Sequence, residues 1–350
     1  MLDQGTTLYL WIDALCINQD DLSERENQVT MMGAIYAQAR QVIAFLGQAD
    51  NKSINAMDLM LLVSNCISGN QSLHESATAS GMVRLLSEIG PGARDSTCIQ
   101  GLLSRRWFYR SWVVQEVALG NDPVLICGQH ALSWYALWQF LDFNILSFRF
   151  PAMFKHDPFA LDAFTTTQFS LPNAAMKVAA HLGQRDRYWS QMPFLAFLSA
   201  SCISFDCSDS RDRIYAFLGL ASAKKYRDAL RPDYRIKVEE LYIKVARLML
   251  TQGGNIQFLH VAGIGHRRSL SLPSWVPDWT SIPRQKAFYA NLSGPLAKDS
   301  DSEGFGLRFD FDRGSPHVLK LYGRIIDTVS LMVRESLPLW VPSLTHIYCS

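Results

Sequence analysis

No stretch of the 350 residues stays apolar for the roughly 20 positions that a membrane-spanning helix needs. The opening MLDQGTTLYLWID has no basic region leading into an apolar one, so no secretory leader is expected either. An excess of one charge sign is also missing. Lys and Arg number 33 against 32 Asp and Glu, and a formal charge of +1 gives no summed field to draw in nucleic acid or an anionic membrane. The seven cysteines, Cys16, Cys66, Cys98, Cys127, Cys202, Cys207 and Cys349, stand singly, with no CxxC and an odd total. That pattern fits reduced thiols in a cytosolic or nuclear setting rather than a disulfide framework. Cys202 and Cys207 have no matching His or Cys pair, and Asp206, Asp209 and Asp212 lack the glycine and distal glutamate of a calcium loop, so no metal site is expected. Sequences of the type GxSxG, HExxH, GxxxxGK and GxGxxG are absent, which removes the usual support for hydrolase, zinc-protease and nucleotide-kinase chemistry. Neither an internal repeat nor a low-complexity tract occurs.

What is present is the make-up of a soluble globular protein, 48% hydrophobic and 19% charged, long enough for two domains. Thr6 to Ile12 is a short apolar run that predicts a buried strand followed by a polar loop. Asp20, Asp21 and Ser23 offer N-caps for a helix whose apolar positions Val29, Met32, Ile35, Tyr36 and Ala39 recur every three or four residues. QVIAFL at Gln41 to Leu46, closed by Gly47, predicts a second buried strand, and strand, helix, strand is a βαβ unit. Helices are expected over 54–68 and 80–90 with a polar loop from Ser68 to Ser80, then over Trp107 to Leu119, stopped by Gly120. PVLIC, Pro123 to Cys127, predicts a third strand.

From Ala131 onward the pattern turns mainly helical, through Trp134 to Phe150 and His181 to Ser201. Asp209 or Ser210 can cap a helix that buries Ile214, Phe217 and Leu218, and a further helix runs from Val238 to Leu250. LPSWVPDWT and LYGRIIDTVSLM are punctuated by proline or glycine and strand-like.

Glu116 is the most informative position for chemistry, because it lies beside Gln115 inside an apolar run, one helical turn after Trp112. A carboxylate there needs a partner. One alternative is an ion pair with Arg105, Arg106 or Arg110 that ties the helix to the loop before it. The other is a carboxylate at a cleft, tuned by its surroundings to act on a substrate. Asp13 follows the first expected strand directly, and ligands of open α/β sheets bind beyond the carboxyl ends of strands, so Asp13, Asn18 and Gln19 are candidate cleft residues. For Asn18 and Asp20 the competing role is loop and cap hydrogen bonding. Trp107 and Trp112 can stack on a planar ligand or belong to the core.

Taken together, LWIDALCINQDDLSERENQVTMMGAIYAQARQVIAFLG at Leu10 to Gly47, RRWFYRSWVVQEVALG at Arg105 to Gly120 and DSRDRIYAFLGLA at Asp209 to Ala221 resemble the heterokaryon incompatibility (HET) domain of filamentous fungi. LPSWVPDW at Leu272 to Trp279 and GRIIDTV at Gly323 to Val329 are similar to segments that often follow it. The resemblance implies a TIR-like, flavodoxin-like parallel α/β sheet over residues 1–130, followed by a mainly helical region with some short strands over 131–350, itself expected to be incomplete. An upstream strand of the form YxALSYxWG, usual in such domains, does not occur, so the sheet is expected to be incomplete at its N-terminus. The resemblance also implies a role in allorecognition, with programmed death of fused, genetically unlike cells. Enzymatic TIR domains cleave the bond between nicotinamide and ribose in NAD using the glutamate of a W-C-x-x-E-L helix, and Trp112 to Val117 looks like that segment with Glu116 in the glutamate's place. It therefore implies Glu116 as catalytic carboxylate and NAD as substrate, with no cofactor or metal; Asp13, Asn18 and Trp112 are the substrate-binding residues expected beside it, and the expected location is cytoplasmic. The alternatives are a non-catalytic module that associates with itself or with another incompatibility protein, and an inactive remnant of one.

Overall fold

The computed structural model describes residues 9–69, 96–149, 194–195, 198, 205–253, 257–262, 269–281, 308–312, 315 and 317–322. They divide between two compact units, Met1–Leu296 and Ala297–Ser350. The expected helices over 80–90 and His181 to Ser201, the loop after Ser68 and the GRIIDTV segment lie wholly or mostly outside the described residues.

The first expected strand does not form where it is described. Among the described residues no strand pairs with 9–12, and Tyr9 and Leu10 are 93% and 67% exposed. Only Trp11 turns inward, edge-on to Tyr36 at 6.2 Å. A one-turn helix, α1 (Asp13–Cys16), follows. Without a neighbour to take its backbone N–H and C=O groups, an apolar run has no reason to adopt strand geometry.

Asp21 starts α2 (Leu22–Gln38), its carboxylate accepting the backbone N–H of Ser23 and Glu24 that a helix start leaves open. Of the expected apolar face, Met32 and Tyr36 are buried with Val42, and Val29, Ala39, Trp11 and Trp112 pack against them. QVIAFL forms β1 (Ile43–Phe45) and PVLIC forms β2 (Val124–Cys127), which run parallel with Ile43 opposite Val124. β3 (His130–Ser133) adds to β2 antiparallel, so the sheet is mixed, in the order β1-β2-β3, rather than parallel throughout. Helical structure therefore starts at Trp134 and not at Ala131. Gly128 decides this: at φ +58° it opens a two-residue loop that folds the chain straight back along β2. Ala44 and Leu125 are buried, whereas Ile43 and Phe45 on the other face are 47% and 59% exposed.

α3 (Asn51–Gly69), the helix expected over 54–68, packs against α4 (Ser96–Leu103) and α6 (Trp134–Arg149). Ala56, Met60, Leu102, Leu137 and Phe140 fill that interface, and the Ser64 hydroxyl donates to Gln139 Oε1 within it. Each large side chain so buried contributes roughly 1.5–3 kcal/mol.

The helix expected over Trp107 to Leu119 is broken in two, a 3-10 turn at Arg106–Tyr109 and α5 (Val113–Leu119). The break has a long-range cause. Arg110 forms a parallel bridge with Asp206, in which Asp206 N–H donates to Tyr109 O at 2.5 Å and Ser111 N–H donates to Asp206 O at 3.2 Å. Those backbone groups are no longer available to one continuous helix.

The DSRDR segment gives α7 (Asp212–Tyr215), shorter than its periodicity implies, and neither Asp209 nor Ser210 caps it. Asp209 instead takes the Arg211 N–H and grips the Arg211 guanidinium at 2.9 and 2.8 Å. Ile214, Phe217 and Leu218 are buried as expected. α8 (Val238–Gly253) matches its pattern. LPSWVPDWT is a buried loop and not a strand, with Trp279 edge-on to Tyr242 at 5.0 Å. In the second unit, β4 (Arg308–Phe311) and β5 (Leu319–Tyr322) make an antiparallel pair. No described helix is long and apolar enough to cross a membrane.

Two positions test these contacts. A Cβ on Gly219 would sit 2.2 Å from Gln115 Oε1, whose amide is already committed to the Ala216 carbonyl, so Gly219→Ala is expected to cost about 1–3 kcal/mol in urea unfolding. Asp278 accepts backbone N–H from Ser269, Leu270 and Thr280. Burial alone would raise its pKa, but the bonds from Thr280, Ser269 and Leu270 outweigh it and hold the carboxyl below its usual range. Its contribution is therefore present above the unfolded pKa of about 4 and is lost as pH falls through the lower folded value. Asp278→Ala is expected to lower stability at pH 7 by about 2–4 kcal/mol and to flatten the loss between pH 4 and 2.

Candidate functional site

The break at Arg110 and the turn into α7 open a cleft of about 520 Å³ whose walls include Asp13, Arg106, Arg110, Trp112, Asp212 and Tyr234. Three separated parts of the chain build it: α1 with α2, the 106–112 turn, and the 206–212 loop with Tyr234. Gln19 lines it as well. Asn18 does not; its side chain accepts the Asp20 N–H, and its own N–H donates to Glu24 Oε1. The loop bonding weighed for Asn18 is thus what is observed.

Glu116 lies behind the cleft wall at 7% exposure. Its Oε2 accepts the Trp107 indole N–H at 2.9 Å, and its Oε1 stands 3.9 Å from Arg110 Nη1. The other end of the same guanidinium, Nη2, bonds Asp13 Oδ2 at 3.2 Å. Arg110 therefore joins the buried carboxylate to the one at the cleft mouth. Of the three arginines weighed as partners for Glu116, Arg110 is the one in place. Arg105 instead donates to the carbonyls of Leu46 and Gln48, tying the turn to the end of β1. Burial pushes the Glu116 carboxyl above its ordinary range, with Arg110 and the Trp107 bond opposing and Asp13 adding to the rise.

The cleft also holds a group that the sequence showed only as part of the acidic run Asp206, Asp209 and Asp212. Asp212 is 5% exposed, and the Tyr234 hydroxyl donates to its Oδ1 at 2.5 Å. Arg25 stacks over the Tyr234 ring at 3.6 Å and brings Nη2 to 3.7 Å from Asp212 Oδ2. Burial raises the Asp212 carboxyl, the neighbouring Asp209 charge adds to that, and Tyr234, Arg25 and Trp112 pull it back down. Burial, with the Asp212 carboxylate beside it, also drives the Tyr234 hydroxyl far up, so it stays a donor. The proximity of Asp209 and Asp212 to Arg25 was legible only as a run of charges in DSRDR; the partner on α2 was not. No group of three or more His, Cys, Asp or Glu among the described residues is placed to hold a metal.

Residues 1–116 match the family model "Heterokaryon incompatibility protein (HET)". Over these residues the chain is similar to the HET family. Over 311 residues the chain is 28% identical to Heterokaryon incompatibility protein 6, OR allele, of Neurospora crassa, an alignment covering 78% of this chain and 45% of that protein. The chain thus spans less than half the length of this curated relative. No solved structure matches. Asp13, Arg106, Arg110, Trp112 and Glu116 fall within the HET segment, and Asp212 and Tyr234 lie beyond it.

The raised Glu116 carboxyl has a stability consequence. Because it titrates above its unfolded value of about 4.3, the folded chain holds more protons in that window, and its share of stability falls as pH rises from the unfolded to the folded value. Glu116→Gln, whose amide oxygen still accepts from Trp107, is expected to remove that slope. Urea unfolding from pH 5 to 8 measures it; an unchanged slope would show that another group carries it.

Proposed function

We propose that this chain acts in heterokaryon incompatibility as an effector of programmed cell death, and that its HET segment, with a TIR-like fold, binds NAD in the cleft and cleaves it between nicotinamide and ribose. The observation that carries the reading is the line of side chains from Asp13 through Arg110 to Glu116, which sets a buried carboxylate one guanidinium away from a cleft large enough for a nucleotide. In the reaction the glycosidic C–N bond breaks, its electron pair leaves with nicotinamide, and the ribosyl carbon becomes cationic. Glu116 would stabilise that cation once Arg110 swings toward Asp13, and Trp112 would stack on the departing ring. Water then adds to the ribosyl carbon and releases a proton, leaving ADP-ribose. No metal or cofactor enters the step.

A second reading, a non-catalytic module that pairs with itself or with another incompatibility protein, is favoured by one observation. Both Glu116 oxygens already face protein groups, Trp107 and Arg110, so the carboxylate meets a ligand only after a rearrangement.

NAD consumption by the purified chain separates the two. The parent is expected to consume NAD, Glu116→Ala to lose at least about 100-fold in rate, and the same variant to abolish death on expression in a fungal host. No NAD loss from a parent that unfolds cooperatively, or equal toxicity of Glu116→Ala, would overturn the enzymatic reading in favour of the module.

A further inference from the structure

The cleft carries two polar groups that the Asp13–Arg110–Glu116 line does not use. Arg106, at one part of the wall, is exposed, and no carboxylate among the described residues pairs with it. Every other arginine on the wall is engaged: Arg110 with Asp13, and Arg25 with Tyr234, Asp209 and Asp212. A guanidinium left unpaired beside a cavity is suited to a doubly negative oxyanion, which its fork of N–H donors can grip at two oxygens.

Asp212 is the second group. Tyr234 donates to its Oδ1, Arg25 approaches Oδ2 at 3.7 Å and the Trp112 side chain bonds the carboxylate as well; two carboxylate oxygens offer about four acceptor sites, so this nearly buried group keeps acceptor capacity for whatever fills the cavity. The stacked Arg25 and the Tyr234 hydroxyl fix the carboxylate in orientation. Such a group accepts from hydroxyls and rejects an analogue lacking them. Trp112 and Tyr109 add aromatic surface to the cleft lining.

We infer that the cleft recognises a phosphorylated sugar unit, with Arg106 anchoring the phosphate and Asp212, held by Tyr234 and Arg25, accepting hydrogen bonds from the sugar hydroxyls. The inference rests on the cleft being the ligand site proposed above, but it needs no bond cleavage. It also gives the 205–235 region, outside the HET segment, a direct part in specificity.

Calorimetric titration of the full chain with ribose 5-phosphate, 2-deoxyribose 5-phosphate and inorganic phosphate tests it. Ribose 5-phosphate is expected to bind, with the deoxy compound and inorganic phosphate each about tenfold weaker. Arg106→Gln, an exposed change, is expected to weaken all three by about tenfold. Asp212→Asn, checked for cooperative melting, is expected to weaken ribose 5-phosphate about tenfold while leaving inorganic phosphate unchanged. Failure of the folded parent to bind ribose 5-phosphate overturns the inference, as does equal affinity for the three compounds. Should Asp212→Asn not fold, the comparison of ribose and deoxyribose 5-phosphate on the parent still decides the hydroxyl contact. Sugar-phosphate binding without NAD loss would sink the cleavage reading alone, and NAD loss without sugar-phosphate binding would sink this one alone.

Discussion

Arg110 is held by its backbone and used by its side chain. The parallel bridge to Asp206 takes the N–H and C=O groups that would have continued a helix from Trp107, and so forces the chain to turn at Arg110 to Trp112. That turn frees the Arg110 guanidinium to lie between Asp13 and Glu116 instead of projecting from a helix surface. It also brings Trp107 beneath α5, where its indole meets Glu116 on one side and Trp134 on the other. Both bridged residues, Arg110 and Asp206, line the cleft.

At several groups around the cleft burial outweighs pairing. Burial raises Glu116 and Asp212, and it also raises the tyrosines Tyr36 and Tyr234, while Tyr215 is pushed up to about 12. The tyrosines therefore remain neutral donors at any physiological pH. Tyr234 is the most heavily used. Its hydroxyl serves Asp212, its ring carries Arg25, its N–H donates to Glu26 and its carbonyl accepts from Arg211. Glu26 and Arg25 are neighbours on α2, so one residue of the later chain clasps two of the earlier one.

Local pattern in the sequence was enough to place α2 with its Asp21 cap, β1, β2, α3 and α8, because each rests on a hydrophobic period and a nearby stop signal that act over a few residues. The departures share a different cause. Residues 9–12 have strand composition but no partner, β3 forms because Gly128 reverses the chain, and the 107–119 helix breaks because of a residue far along the chain. The site divides in the same way. Asp13, Gln19 and Trp112 were accessible as residues following an apolar run or standing near a buried carboxylate, and all three line the cleft. Asp212 and Tyr234 were not, since each looks like a cap or a core residue until α2 is laid against it.

The cleft is assembled from segments that are distant in sequence, and this has a bearing on when it comes into being. Local helices such as α2 and α3 can form as soon as their own residues are free, whereas contacts across long loops must first pay the entropy of closing them. On a ribosome, α1, α2 and the sheet would be made well before Tyr234 emerges. A nascent chain therefore has no complete cleft until the 205–235 segment has packed against α2.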